Sequence, residues 1–288
     1  MSKRKEKLSK TPNTPEKTGM FSKIIPGFSW LRSSDSDNKD EGIFGFIRTF
    51  GIAIGIAIVF RSFLFEPFSI PSGSMIPTLK IGDYLFVSKY SYVYSRYSFP
   101  FALIPFSGRI ASSEPERGDV IVFRKPGDES VDYIKRLIGL PGDKVQVIGG
   151  ILHINDTPVK RNQIATGQVG GGLFVRTATV YNETFPDGHV HTIQEFSDED
   201  RMDNTLARTV PDDHFFFMGD NRDNSRDSRA EIGFVPRQNL IGRAEFLFFS
   251  TNGKAAFWQV WKWPFTIRFD RIGMSIDLSL IHISEPTR

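Results

Sequence analysis

Residues Lys144–Asn155 read KVQVIGGILHIN, two short β-rich runs meeting at Gly149-Gly150, which is a hairpin signal. Runs of the same kind lie on either side of it. Asp83–Val87 (DYLFV), Asp119–Phe123 (DVIVF) and Tyr133–Leu140 (YIKRLIGL) are bounded by Gly, Pro or Asp. His214–Met218 and Ala244–Phe249 (AEFLFF) extend the pattern toward the C-terminus. No period of 20–50 residues recurs, which argues against a solenoid or a propeller. The body of the chain is therefore expected to be mostly β. The stretch 144–213 differs in texture, with Gly170-Gly171-Gly172, many Thr and Asn, and the acidic cluster Asp198–Asp200. It is expected to form an inserted β subdomain between two blocks that carry chemistry.

The chain has 288 residues, 40% hydrophobic and 24% charged, which suits one large domain or two small ones and not a disordered or fibrous chain. It has no Cys, so a disulfide framework, a Cys-ligated metal and a thiol nucleophile are excluded. Residues 1–65 hold 11 Lys and Arg against 6 Asp and Glu, while the rest holds 25 against 27. A near-neutral body lacks the basic face that nucleic acid requires. The basic excess sits in the N-terminal tail and points to a membrane.

From Ile43 to Phe65 the chain reads IFGFIRTFGIAIGIAIVFRSFLF, 23 residues charged only at Arg48 and Arg61. As a helix this spans roughly 34 Å, enough for a hydrocarbon core of about 30 Å if both guanidiniums snorkel outward. The competing reading is a buried helix of a soluble core, but nothing downstream looks like a helical partner for it. Residues 1–42, polar and with nine Lys or Arg, cannot bury enough apolar surface to fold alone. Their charge favours a cytoplasmic N-terminus, with everything after residue 65 on the far side. No small-x-small cleavage site follows the apolar run directly, so it reads as a retained anchor.

Pro71-Ser72-Gly73-Ser74-Met75-Ile76-Pro77 is the first candidate for chemistry. Two prolines fix the backbone and Gly73 permits a sharp turn, an arrangement that presents a serine hydroxyl or simply links anchor to domain. A serine hydroxyl needs a base. Among the five His, only His189 and His191 lie near an acid, Asp187, and that trio reads as a solvated turn. A neutral lysine serves instead. Lys135 lies in a strand-like run and shares a face with Tyr133 and Leu137, where desolvation lowers an amine's pKa, while Arg136 points the other way and stays charged. An edge-strand lysine that blocks aggregation remains the alternative at this point.

Gly219 to Arg229 (GDNRDNSRDSR) is 11 residues without an apolar side chain, entered directly from Phe215-Phe216-Phe217-Met218. It must be a loop at the end of a buried strand. A calcium loop fails, because Arg222 stands at position 3 and Ser225 at position 6, where glycine is needed. A loop tied by Asp–Arg pairs and offering a hydroxyl to a lysine fits better.

In order, Phe65–Leu79, Gly82-Asp83-Tyr84, Arg117–Phe123, Tyr133-Ile134-Lys135-Arg136, Gly139–Asp143, the block 219–229 and Gly233-Phe234-Val235-Pro236 resemble the bacterial signal peptidase I family. These are membrane-bound Ser–Lys endopeptidases that remove signal peptides. The resemblance covers 65–143 and 213–250. It implies Ser74 as nucleophile, Lys135 as general base and Ser225 as the hydroxyl that orients the lysine. It further implies an oxyanion hole from the Ser74 backbone N–H and the Ser72 hydroxyl. Asp227, Arg136 and Arg229 would frame the site from behind, Asp220 and Arg222 would shape the loop, and Tyr133 would pack on the lysine. The implied fold is a β catalytic core with an inserted β subdomain after one transmembrane helix, with no metal and no cofactor.

The implied substrates are signal peptides of secretory preproteins, bound extended beside a strand with small residues at the first and third positions before the cut. The lipid bilayer is a second partner, the export machinery a further candidate, and nucleic acid is not one. The implied location is the bacterial inner membrane, with a single pass and the catalytic domain on the periplasmic side. The expected divisions are a tail (1–42), an anchor (43–65), a catalytic core in two parts (66–143 and 214–270), the insert (144–213) and a tail of uncertain origin (271–288). Phe257–Phe265 holds three of the four Trp and reads equally as a membrane rim or an aromatic core. Rival readings are a self-cleaving repressor-type protease, a Ser–Lys peptidase specialised for one substrate, and a non-catalytic tethered β-domain that binds exported peptides.

Overall fold

The computed structural model describes residues 41–63, 65–92, 114–171 and 174–276. The expected polar tail lies outside these residues except for Glu41 and Gly42, as does everything from 277 onward. A helix, α1 (Glu41–Phe63), covers most of the stretch read as an anchor. Arg48 and Arg61 leave only Thr49–Phe60 uncharged between them, and among the described residues no helix is long and apolar enough to cross a membrane. The chain divides into two compact units between Gly51 and Ile52. All the strands and the site lie in the second.

Four strands come before the insert: β1 (Phe65–Ser69), β2 (Asp83–Ser88), β3 (Val120–Lys125) and β4 (Asp128–Gly139). The insert supplies β5 (Lys144–Ile148), β6 (Ile151–Ile154), β7 (Thr157–Pro158), β8 (Lys160–Gly171), β9 (Phe174–Thr184), β10 (Val190–Glu195) and β11 (Arg208–Thr209). The chain then returns through β12 (His214–Met218), β13 (Val235–Pro236) and β14 (Leu240–Ser250). The main sheet has seven antiparallel strands in the order β1-β2-β14-β3-β4-β12-β13. Strands from both sides of the insert interleave in it, so the two blocks flanking the insert share one sheet. The insert makes two further sheets, β11-β5-β6-β7 and β10-β9-β8. The hairpin at Lys144–Asn155 forms as β5 and β6, and Gly149 and Gly150 take the positive φ values its turn requires, 56° and 74°.

Side chains alternate along each strand, so a continuous apolar run buries both faces of the sheet. In β3, Val120 and Val122 enter one core cluster with Met75, Leu79 and Leu247, while Ile121 and Phe123 enter another. In β12, Phe215 and Phe217 join that second cluster. Phe216 and Met218 face a third, made with Val145, Leu152, Phe185 and Val210 of the insert. The insert thus has no separate hydrophobic core; it shares one with β4 and β12.

One boundary differs from the sequence reading, and one segment left open there divides. Residues 271–276, placed there in the uncertain tail, run beside β14. Ile276 enters the first core cluster, and Leu247 donates its N–H to the Met274 carbonyl at 2.9 Å. The apolar spacing there is too sparse to be read as an element. The Trp-rich segment divides: Trp263 packs on Phe249 with ring centroids 4.9 Å apart, whereas Trp258, Trp261 and Phe265 are exposed.

Candidate active site

The turn Pro71–Pro77 is pulled inward by its apolar members. Met75 and Leu79 are fully buried, and Leu79 donates its N–H to the Met75 carbonyl at 2.8 Å. That fixes Ser74 between them and the end of β1. From the loop after β12, Asn221 holds the turn twice: its N–H donates to the Ser74 carbonyl at 3.0 Å and its Nδ2 to the Gly73 carbonyl at 2.9 Å. Gly219 comes so close that a Cβ there would lie 2.5 Å from the Ser74 carbonyl oxygen and 2.3 Å from Ser225 Oγ. Only glycine fits.

Lys135 reaches the same turn from β4. Its Nζ lies 2.6 Å from Ser74 Oγ and 2.9 Å from the Ile134 carbonyl oxygen, and among the described residues it makes no ion pair. The Tyr133 ring centroid is 5.4 Å from Nζ. Burial pulls the amine's pKa down to about 8, against an upward pull from the charges of Asp227 and Asp220. At pH 7 roughly a tenth of the amine is then neutral, against well under a thousandth for an ordinary lysine. Ser72 Oγ lies 3.4 Å from Ser74 Oγ, on the same turn. Ser225 Oγ is buried beside Gly219, on the side of Asp227 whose carboxyl it helps to hold down, and it makes no bond to the lysine, whose amine bonds to Ser74 and Ile134.

Behind the pair, charges meet opposite charges. Arg136 donates from Nε and Nη2 to the two Asp220 oxygens, each at 2.8 Å, and from Nη1 to the Gly118 carbonyl at 2.7 Å. Asp227 accepts from Arg229 Nε and Nη2, both at 3.0 Å, and from the Gly219 N–H at 3.1 Å. Burial alone would raise both carboxyl groups, but the facing guanidiniums hold them below the usual carboxylate range. Arg229 also donates to the Arg222 carbonyl.

The expectation for His191 is corrected. It is fully buried on β10, directly opposite Glu183 on β9, and it stacks on Phe185 at 4.4 Å. Strand alternation turns it inward, away from the exposed Asp187. Glu183, which the sequence reading missed, accepts from Arg222 Nη2 and lies 3.3 Å from His191 Nε2. Asn221 was missed as an individual residue. It stood in a uniformly polar block, and only its contacts distinguish it.

The pair opens on a cleft of about 900 Å³. One wall is the end of β1 and the turn after it, another is Val131–Lys135 of β4, and the loop 223–226 closes an end. β12 pairs only with the stretch of β4 from Arg136 onward. Among the described residues that edge of Val131–Lys135 therefore has no strand beside it, and β1 is the last strand of the sheet. No cluster of three or more metal-ligating side chains occurs among the described residues.

Residues 43–249 match the family described as signal peptidase, peptidase S26. Signal peptidase I of Rickettsia typhi (strain Wilmington) is 46% identical over 212 residues, covering 71% of this chain and 79% of the relative. That of Rickettsia prowazekii (strain Madrid E) is 42% identical over 226 residues, covering 76% and 84%. A crystal structure of a signal peptidase I from Enterococcus faecalis V583 is 26% identical and covers 46% of this chain and 97% of its own, with a TM-score of 0.27.

Proposed function

The chain belongs to the signal peptidase family, peptidase S26, and from that premise we propose that Ser74 and Lys135 are its catalytic pair. The activity is that of a signal peptidase I, a serine endopeptidase that cleaves signal peptides. The observation that carries the residue assignment is the 2.6 Å approach of a buried, unpaired lysine amine to a serine hydroxyl at the end of a cleft.

In this mechanism the neutral Lys135 amine accepts the Ser74 hydroxyl proton as Oγ attacks the scissile carbonyl carbon. The Ser74 N–H and the Ser72 hydroxyl receive the oxyanion as it develops. The intermediate collapses, the C–N bond breaks, and the lysine ammonium gives its proton to the departing amine. Water then attacks the acyl ester, with Lys135 again taking the proton, and the carboxylate product leaves as Ser74 recovers its hydrogen. Ser225 sits beside the pair as a hydroxyl able to orient the amine, with Tyr133 packed on the lysine. Asp220, Arg136, Arg222, Asp227 and Arg229 hold the loop.

The signal peptide would lie extended in the cleft, satisfying its backbone against the unpaired edges of β1 and Val131–Lys135. Shallow pockets there would select small residues at the first and third positions before the cut. The family is membrane-bound, and the apolar stretch 43–65 would be the segment that anchors this chain if its two arginines snorkel outward. The basic tail would then stay cytoplasmic and the catalytic core periplasmic, at the inner membrane, where the export machinery delivers preproteins. Trp258, Trp261 and Phe265 are exposed aromatics of the kind that settle at a bilayer interface.

Cleavage of a preprotein in detergent by the intact chain and by its Ser74→Ala variant tests the assignment. The intact chain should cut after a small residue and the variant should not. Equal cutting by both would make Ser74 a turn residue. Binding without cutting by either would favour a peptide-binding scaffold.

A further inference from the structure

The insert reaches the catalytic loop through buried charge. Glu183 on β9 and His191 on β10 face each other across the hairpin, and Arg222 of the loop 219–229 inserts its guanidinium against Glu183. All three are buried and are enclosed with Phe185. The insert adds backbone ties to the same loop. Gln194 of β10 donates its N–H to the Asp220 carbonyl at 2.8 Å. Just past β10, the N–H groups of Phe196 and Ser197 donate to Asp223 Oδ2 at 2.6 and 3.1 Å. From the loop the connection runs on in two directions. The Arg222 carbonyl accepts from Arg229, which is paired with Asp227. Asn221, next in sequence to Arg222, holds the backbone of Gly73 and Ser74.

We propose that the β9–β10 hairpin of the insert is a brace for the catalytic loop, and that Glu183 is a positioning residue that acts through Arg222 and Asn221 on Ser74. A loop of 11 residues without an apolar side chain has no core contact of its own to set its position. Position must come from hydrogen bonds, and the insert is one of the elements that supply them. A carboxylate buried opposite an arginine is a stringent anchor, because either charge left alone in the interior is costly. Displacement of the loop would move the Ser74 backbone away from Lys135, and small misplacements of reacting groups cost rate out of proportion to their size. Substrate binding, which uses mainly β1 and Val131–Lys135 and meets this loop only where residues 223–226 close one end of the cleft, would be affected far less.

This rests on Ser74 and Lys135 being the reacting pair, and the two ideas fail differently. In the full chain in detergent, Glu183→Gln, Arg222→Met and the double variant are compared by steady-state cleavage of a preprotein and by thermal unfolding. Leu152→Ala, in the four-stranded sheet of the insert, serves as a destabilised control. The expected result is a fall in kcat on the order of 10²-fold for Glu183→Gln, with KM within about twofold. The double variant should be no worse than about threefold below Glu183→Gln alone, since both remove one connection. Glu183→Asp, which keeps the charge but shortens its reach, should recover part of kcat and serves if the glutamine variant does not fold. Unchanged kcat in a folded Glu183→Gln, additive losses in the double variant, or a loss matched by Leu152→Ala at equal melting temperature would each overturn the brace. Each would leave the catalytic pair standing. Cleavage independent of Ser74 would remove the pair itself.

Discussion

Lys135 and Arg136 are adjacent on β4 and both are buried, yet they meet different surroundings. The lysine amine, on the cleft side, bonds to a hydroxyl and a carbonyl oxygen and, among the described residues, to no acid. The guanidinium, on the loop side, meets both oxygens of Asp220 and the Gly118 carbonyl. A buried charge without a counter-charge loses its proton more easily, and a buried charge with one keeps it. The cleft side is therefore arranged to make a base, and the loop side to fix position. On the proposed mechanism, catalysis and rigidity are divided between two faces of one strand.

The sharpest way to break this division is to remove the base. Lys135→Met should lower cleavage by a factor on the order of 10⁴ or more, without lowering the melting temperature, because no ion pair is lost. A folded variant that still cleaves would end the argument for Lys135.

The loop side should respond in stability. Asp220→Ala strands the Arg136 guanidinium in the interior and should cost about 3–5 kcal/mol in urea denaturation, whereas replacing both partners with apolar residues should cost far less. A single variant as stable as wild type would mean that the pair fixes nothing. Gly219 sits where the two sides touch. Gly219→Ala should displace Ser225 and the Ser74 backbone and reduce kcat on the order of 10²-fold, measured on the same preprotein.

The pH profile links the sides. The active form carries a neutral amine, so kcat/KM should rise with pH through about 8 and level off above it. Asp227 raises the lysine's pKa, so a folded Asp227→Asn should shift the rise to lower pH. A shift to higher pH would contradict the assigned sign. The smallest effect is expected far from both sides. Lys144 pairs with Asp156 on the exposed surface at 2.7 Å, and Lys144→Ala should change stability by no more than about 0.5 kcal/mol.

Strands were legible where pattern is local. Asp119–Phe123 and Phe215–Met218 show their burial in an unbroken apolar run, and Gly149-Gly150 shows its turn. Lys135 was legible as a candidate from its apolar company on one face, but an edge lysine has the same pattern, and only its approach to Ser74 separates the two. Glu183 gave no local sign, and His191 gave a misleading one in its nearness to Asp187. Each lies in a strand of mixed polarity, and Arg222, the partner of Glu183, is tens of residues away in sequence, so the cluster exists only through the packing of the insert on the loop. Residues 271–276 were hidden for a similar reason. Their partners on β14 lie 26 to 31 residues earlier in the chain, and Arg271 finds its acid at Asp83, further back still.

The central claim is that Lys135 is neutral enough to take a proton from Ser74. Its titration is read most directly from the side-chain NMR signal of isotopically labelled lysine in the full chain in detergent, assigned by its loss in Lys135→Met. The account predicts a midpoint near 8 that coincides with the rise in kcat/KM. A midpoint at the ordinary lysine value near 10.5, with cleavage already at full rate below it, would contradict it.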